Sequence, residues 1–122
     1  IVLCDRFNTA TLAYQGYGLG MDMKTIEEVD ALATGGLSPD LTILLDIDVK
    51  TGLSRATSGR DADKMEKRGI EFHEKVRQGY LDLAAKHADK MRVIKVEEEK
   101  DETYKSVWKE VHDLIKRYTR TE

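Results

Sequence analysis

The sequence has one cysteine, no long apolar run and no excess of positive charge, and each of these absences argues against a class of protein. One cysteine cannot form a disulfide within the chain, so we expect a reducing, cytoplasmic compartment. No stretch has the length of a membrane span or the pattern of a signal peptide, so we expect no membrane partner. Positive charge is not in excess, because 20 lysines and arginines stand against 23 acidic residues, a net charge of -3. A broad nucleic-acid surface needs clustered positive charge, so we expect no nucleic-acid partner.

What the sequence does have is enough apolar material for one domain. Apolar residues make up 40% of the 122 residues, which suffices for a core, and we predict a single domain over 1–122. Three short apolar runs predict fully buried strands of a parallel sheet, at 1–4, 41–45 and 91–96. Helical patterns alternate with them, at 9–16, 24–33, 50–56, about 62–87 and 102–118. This alternation predicts an α/β fold with right-handed crossovers and a small, three-stranded sheet.

Apolar stripes define the buried faces of the predicted helices. The helix at 24–33 has Ile26, Val29 and Ala33 on one face. The stripe of the long helix consists of Met65, Phe72, Val76, Tyr80 and Leu83. The last helix is the clearest, with an apolar face of Tyr104, Val107, Trp108, Val111, Leu114, Ile115 and Tyr118. Cys4 stands in the first apolar run, so we expect a small buried thiol there.

Charged and polar residues directly follow the first predicted strand. Asp5 and Arg6 stand at its carboxyl end, where open α/β sheets bind their ligands. An aspartate there can hold a magnesium ion directly or through water, and an arginine offers a planar fork for phosphate oxygens. Thr11, Tyr14 and Gln15 come next at helical spacing, so they can present a hydroxyl, a phenol and an amide on one face. The alternatives are a solvated strand end and a partly polar surface helix.

Other polar residues offer weaker candidates. The segment 57–60 (Thr-Ser-Gly-Arg) lies between two predicted helices and can move, with a solvated helix connection as the alternative. Asp46 and Asp48 follow the second strand, and capping the helix near residue 50 is at least as good a role for Asp48. The three histidines lack ligand spacing and are predicted to be surface or helix-flank residues, not metal ligands: His73, His87 and His112.

Several segments resemble bacterial thymidylate kinases. Residues 5–7 (Asp-Arg-Phe) and 13–18 (Ala-Tyr-Gln-Gly-Tyr-Gly) are similar to the central motif of that family. The similarity continues through 39–46 (Pro-Asp-Leu-Thr-Ile-Leu-Leu-Asp), 52–55 (Gly-Leu-Ser-Arg) and 72–80 (Phe-His-Glu-Lys-Val-Arg, then Gly-Tyr after one residue). The four motifs stand in the family's order and spacing. The resemblance implies a P-loop-kinase-type parallel sheet with flanking helices.

The resemblance also implies a role for each residue of the first motif. Arg6 matches the arginine that binds the phosphate of the acceptor nucleotide, and Asp5 matches the acid near the magnesium and phosphate site. Thr11 and Gln15 match positions that contact the thymine base. Tyr14 matches the residue that packs on the deoxyribose.

A second group matches the mobile lid that closes over the ATP phosphates, at about 55–66. Its cations are Arg55, Arg60 and Lys64. In bacterial enzymes of this type the lid supplies a catalytic arginine, and Arg60 is our choice for that role. The chemistry agrees, because phosphoryl transfer depends on positioning and on positive charge around the transferred group.

The sequence also departs from the family pattern. The 122 residues contain no P-loop of the form Gly-x-x-x-x-Gly-Lys-Ser/Thr, whose backbone amides hold the donor phosphates. The family's first strand, which lies between the strands at 1–4 and 41–45, would precede Ile1 with the P-loop. Smaller departures are Thr9, Ala10, Lys64 and Lys95-Val96, where the family usually has Asp, Ser, Arg and Asp-Ala. We therefore expect a C-terminal portion that is inactive alone and marginally folded or aggregation-prone, since unpaired strand edges are sticky and costly.

The resemblance implies a function for the intact enzyme. It would transfer the γ-phosphoryl group of ATP to dTMP with Mg²⁺, giving dTDP, as a cytoplasmic homodimer. One alternative is a related nucleotide kinase. Another is a non-catalytic nucleotide-binding or regulatory module that keeps the acceptor site, and a third is a remnant without a ligand.

Overall fold

The structure, a computed structural model, describes residues 1–64 and 66–119. Its helices are α1 (Asn8–Thr11), a π-helix (Leu12–Gly18), α2 (Met23–Thr34), α3 (Val49–Thr57), α4 (Ile70–Lys86) and α5 (Lys100–Thr119), and its strands are β1 (Thr42–Asp46) and β2 (Met91–Lys95). The chain divides into two compact units. The first consists of Ile1–Ser38 with Asp48–Leu83, and the second consists of Pro39–Ile47 with Ala84–Glu122.

The second unit contains a parallel pair of strands. β1 and β2 pair in register from Thr42 opposite Met91 to Asp46 opposite Lys95. The Val96 amide extends the ladder by donating a hydrogen bond of 2.9 Å to the Asp46 carbonyl. The strands predicted at 41–45 and 91–96 and the helix predicted at 102–118 are confirmed to within two residues. On α5 the aliphatic part of the predicted face is half-buried, at Val107, Val111, Leu114 and Ile115.

The first unit is helical, and local chemistry sets where its helices begin and end. Asp22 caps α2, since its carboxylate accepts a 2.8 Å hydrogen bond from the Thr25 amide. Gly35 ends α2 in a left-handed conformation with φ of 62°. The buried apolar side chains of this unit are Leu12, Ala13, Ile26, Val49, Val76 and Leu83. None of the described helices, in either unit, combines the length and the apolar character needed to cross a membrane.

The first predicted strand is not formed. Residues 1–4 have no regular secondary structure, and the relative exposures of Ile1, Val2 and Leu3 are 104%, 92% and 89%. Cys4 is also exposed, so the expectation of a buried thiol is wrong. A strand needs a hydrogen-bonded neighbour, and the sheet of the described residues contains β1 and β2 alone. The α/β class is confirmed, with two strands in place of three.

The long predicted helix begins later than expected, at Ile70 instead of about residue 62. The preceding residues form a separate turn, in which the amides of Asp63 and Glu66 each donate to the other's carboxylate at 2.8 Å. Gly69 then precedes the helix. Four residues of the predicted stripe are buried or half-buried, namely Phe72, Val76, Tyr80 and Leu83, whereas Met65 lies outside the described residues. On α2, Ile26 is buried as expected, but Val29 is 61% exposed.

Candidate functional site

The candidate site is built on a π-helix in the first unit. A single helix was expected at 9–16, but the chain forms α1 and then the π-helix, and the Leu19 amide donates to the Tyr14 carbonyl at 3.0 Å. π-Helices are rare and occur often at functional sites. Thr11 ends α1, and Tyr14 and Gln15 lie in the π-helix. In the part of the chain that is described, the side chains of Thr11 and Gln15 make no hydrogen bond to protein, so both are available to a ligand.

Arg6 holds the most unusual backbone conformation in the site. Its φ is 63°, in the left-handed region that residues with a side chain seldom occupy. The Cys4 thiol donates to the Arg6 carbonyl at 3.3 Å. The Arg6 guanidinium carbon lies 5.7 Å from the centroid of the Tyr14 ring, within cation–π range. Such strain persists when the surrounding structure enforces it, and it concentrates at functional sites. The structure therefore brings Arg6 and Tyr14 together.

The Tyr14 ring belongs to an aromatic cluster. The Tyr14 ring lies 6.1 Å from Phe72 at 57° and 6.3 Å from Tyr80 at 84°, which are favourable tilted and edge-on geometries. The pKa of Tyr80 is raised to about 12, chiefly by burial and also by Tyr14, against a lowering effect of Arg6. Tyr80 is therefore a neutral hydroxyl at physiological pH. Tyr14 is held on two sides by rings from α4.

Two glycines allow the π-helix to lie close against α4. A Cβ atom added at Gly18 would stand 2.7 Å from Phe72 Cε2 and 2.8 Å from Val76 Cγ2. A Cβ atom at Gly79 would stand 2.6 Å from Tyr17 Cβ. Ordinary contacts between carbon atoms are 3.5–4.0 Å, so neither position has room for a side chain. Each helix thus offers a glycine to the side chains of the other.

The lid candidates lie in and after α3. Arg55 is exposed in the last turn of α3, and Lys64 is exposed in the segment that follows. Arg60 is engaged, because its Nη1 donates to Glu66 Oε2 at 3.0 Å and to the Asp61 carbonyl at 3.1 Å, while its Nη2 donates to Glu66 Oε1. This pairing raises the pKa of Arg60 and lowers the pKa of Glu66. Arg60 is therefore bound to a carboxylate within its own segment.

Three features were not foreseen from the sequence. Arg68 lies with its guanidinium 4.9 Å from the centroid of the Phe72 ring, so a second arginine borders the aromatic cluster. Its i, i+4 spacing to Phe72 was the available signal. Glu66, the partner of Arg60, was also missed, although its i, i+3 spacing from Asp63 resembles a capping box. His73 is half-buried on α4, and its Nε2 is buried and has no hydrogen-bond partner among the described residues.

The acidic candidates have different local surroundings. Asp48 caps α3, accepting a 3.0 Å hydrogen bond from the Thr51 amide, which confirms the capping alternative. The two hydrogen bonds from Thr51 lower the pKa of Asp48. Asp46 is the last residue of β1. Asp5 lies exposed in a bend next to Arg6.

The donor set around Asp5 fits magnesium only when a bound nucleotide supplies further ligands. Within residues 1–64 and 66–119, no group of three or more His, Cys, Asp or Glu side chains could hold a metal ion. Magnesium in phosphate-transfer sites takes one or two carboxylates, with phosphate oxygens and waters as its other ligands. One exposed carboxylate at Asp5 is sufficient for such a shared site and insufficient for a site made by the protein alone.

Comparison with known proteins gives one consistent family. A family model described as thymidylate kinase matches residues 1–107. A thymidylate kinase of Trichodesmium erythraeum is 53% identical over 93 residues, covering 76% of this chain and 41% of that protein. A thymidylate kinase of Maridesulfovibrio salexigens is 42% identical over 123 residues, covering 95% and 57%. The crystal structure of thymidylate kinase from Ehrlichia chaffeensis superimposes with a TM-score of 0.68 at 30% identity, covering 92% of this chain and 49% of that one.

These matches confirm the resemblance that the four motifs predicted. They also confirm the fold class, since the matched crystal structure covers most of this chain. The chain spans about half the length of the relatives it matches, from 41% to 57% in the two cases above.

Proposed function

The chain belongs to the thymidylate kinase family, and from that premise we propose that it forms the acceptor-binding and lid portion of an enzyme that transfers the γ-phosphoryl group of ATP to dTMP. The product would be dTDP. The observation that carries this proposal is the strained Arg6, whose guanidinium stands over the Tyr14 ring beside the available side chains of Thr11 and Gln15. That arrangement offers a cation for a phosphate and a flat apolar surface for a sugar, together with polar groups for a base.

The acceptor residues divide the nucleotide between them. Arg6 binds the phosphate of dTMP, because its planar fork matches two phosphate oxygens. Tyr14 packs on the deoxyribose, and its ring is fixed by Phe72 and Tyr80. Thr11 and Gln15 hydrogen-bond the thymine base. A phosphate oxygen of dTMP already carries negative charge, so it can attack the γ-phosphorus without a general base. The protein's task is to position it in line.

The lid residues act on the donor side. Arg60 stabilises the negative charge that spreads over the transferred phosphoryl group, and Arg55 and Lys64 add positive charge around the ATP phosphates. Asp5 would hold a Mg²⁺ ion through water, with the phosphates as its remaining ligands. When bound, that ion neutralises charge on the phosphate oxygens.

Several finer expectations stay predictions. We propose one domain over residues 1–122 with its lid at about 55–66, a cytoplasmic location and a homodimeric whole enzyme. We propose no nucleic-acid or membrane partner. These 122 residues contain no P-loop sequence, so alone they should bind dTMP without producing dTDP.

Titration calorimetry with the 122-residue chain tests the acceptor site. We expect dTMP to bind, and thymidine to bind more weakly because it lacks the phosphate. Arg6→Ala should lower the affinity for dTMP about ten-fold or more, since a charge-assisted hydrogen bond contributes about 1.5–3 kcal/mol. Arg117→Ala on α5, which removes the same charge from the second unit, should bind like the unaltered chain. Failure of the folded chain to bind dTMP, or full affinity in Arg6→Ala, would refute the proposed acceptor site. Formation of dTDP by the chain alone would refute the proposed need for a P-loop.

A further inference from the structure

The ion pair between Arg60 and Glu66 has an unusually complete geometry for a surface contact. Both terminal nitrogens of Arg60 donate to the two carboxylate oxygens of Glu66, in the bidentate arrangement that makes an arginine pair strong. The third donation, from Nη1 to the Asp61 carbonyl, fixes the guanidinium further. The two terminal nitrogens of Arg60, which a phosphate would contact, are therefore already hydrogen-bonded to Glu66.

Glu66 is the anchored partner of this pair. Its side chain is 15% exposed, whereas that of Arg60 is 51% exposed. The Asp63 amide donates to Glu66 Oε2 at 2.8 Å, and the Glu66 amide donates to Asp63 Oδ1 at 2.8 Å. By contrast, the pair of Lys75 with Glu71 on α4 is a single contact of 3.0 Å between side chains that are 57% and 86% exposed. When an anion approaches, Glu66 stays in place and Arg60 is the group able to move.

We propose that Glu66 is a positioning residue that competes with phosphate oxygens for Arg60 and so sets the affinity of the lid for a polyphosphate. The inference rests on the proposed function, in which Arg60 belongs to the lid. A carboxylate and a phosphate present the same pair of oxygens to an arginine fork, so the two cannot hold both terminal nitrogens at once. Binding of a phosphate therefore requires the contact between Arg60 and Glu66 to break. The free energy of that contact weakens the binding of phosphate.

Inorganic tripolyphosphate, titrated into the 122-residue chain, tests this competition. The side-chain Nε–H signal of Arg60 in nitrogen NMR reports binding at that residue. We expect Glu66→Gln to bind about two- to five-fold more tightly than the unaltered chain, the range measured for well-formed exposed ion pairs. Glutamine still accepts the Asp63 amide, so the turn is kept. Glu66→Asp, which keeps the charge, should retain most of the competition.

Glu71→Gln is the matched control, since it removes one negative charge five residues away without touching Arg60. Any increase in its affinity for tripolyphosphate measures the general effect of net charge. In Arg60→Ala the gain from Glu66→Gln should vanish. Equal affinities of Glu66→Gln and Glu71→Gln, or weaker binding by Glu66→Gln, would overturn the proposal.

A measurement on the unaltered chain covers the case in which a variant fails to fold. Saturating tripolyphosphate should raise the pKa of the Glu66 carboxyl toward its ordinary value, because Arg60 has left it; a pKa that stays lowered would overturn the proposal. The two levels of inference fail separately. If Arg60→Ala binds tripolyphosphate as well as the unaltered chain, the lid role itself is wrong. If Arg60→Ala binds weakly while Glu66→Gln matches Glu71→Gln, the competition alone is wrong.

Discussion

At the scale of single residues, the left-handed backbone of Arg6 and the position of its guanidinium over the Tyr14 ring define the candidate site. Arg6 and Tyr14 were assigned to one site from their motif, and the structure places the guanidinium over the ring. Nothing in the residue types foretold a positive φ at Arg6, since arginine has no preference for that region. The ion pair of Glu66 with Arg60 could not be predicted for a related reason, because several cations lie near this carboxylate in the sequence and none is marked as its partner.

The left-handed backbone at Arg6 leads to a test of strain. We expect Arg6→Gly to be more stable than Arg6→Ala by about 1 kcal/mol, because glycine occupies positive φ without penalty and alanine does not. Chemical denaturation of the two variants measures the difference. Arg55 in α3 is the matched control, where alanine should be the more stable replacement. If Arg6→Ala equals or exceeds Arg6→Gly, the strain is not present in solution.

Tyr80 gives a test at alkaline pH. Burial raises its folded pKa to about 12, above the unfolded value near 10, so the folded state binds this proton more tightly. The resulting stability is fully present below about pH 10 and is lost as the pH rises toward about 12. Absorbance titration of the five tyrosines should show a late ionisation near pH 12 that Tyr80→Phe removes, whereas Tyr118, whose pKa is also raised by its hydrogen bond to Asp40, should titrate alike in both proteins. Complete ionisation of all tyrosines before that pH would show that the ring is not buried.

At the scale of elements, hydrophobic periodicity predicted the regular helices and strands. It failed for the strand at 1–4, which needs a neighbouring strand, and for the π-helix, which departs from regular helical spacing. Helices α2, α3 and α5 and both strands lie within two residues of their expected bounds. The strand at 1–4 failed because no adjacent strand pairs with it among the described residues. The π-helix could not be foreseen, since its pattern of i to i+5 hydrogen bonds leaves no signature in hydrophobic spacing. The close approach of Gly18 and Gly79 is likewise visible only in three dimensions.

The packing of the π-helix on α4 predicts a large effect of one methyl group. Gly79→Ala should lower the free energy of unfolding by about 1–3 kcal/mol, because the new Cβ would meet Tyr17 Cβ at 2.6 Å and the tyrosine would have to shift. Thermal or chemical unfolding measures this loss. Gly69→Ala is the control: no atom stands within 4 Å of its added Cβ, so we expect no loss of stability. Equal behaviour of the two variants would mean that the helices are not packed this closely.

At the scale of the whole molecule, exposed apolar residues at 1–3 and a two-stranded sheet among the described residues occur in a chain that spans about half the length of its relatives. Ile1, Val2 and Leu3 have the composition of a buried strand and are more than 85% exposed. The family and its fold could be predicted from four short motifs, because their residues stand in the order and spacing of that family. The exposure of residues 1–3 and the contact between Arg60 and Glu66 required the structure, since both depend on which groups are nearby.

A chimeric enzyme measures the central claim most directly. The N-terminal part of the Trichodesmium erythraeum relative, which is 53% identical over the shared 93 residues, would be joined to residues 1–122. We predict that the chimera makes dTDP from dTMP and ATP, and that Arg60→Ala lowers its turnover by about 10³-fold, as removal of a charge-stabilising arginine does in related reactions. A chimera that unfolds cooperatively and binds ATP, yet forms no dTDP, would contradict the account.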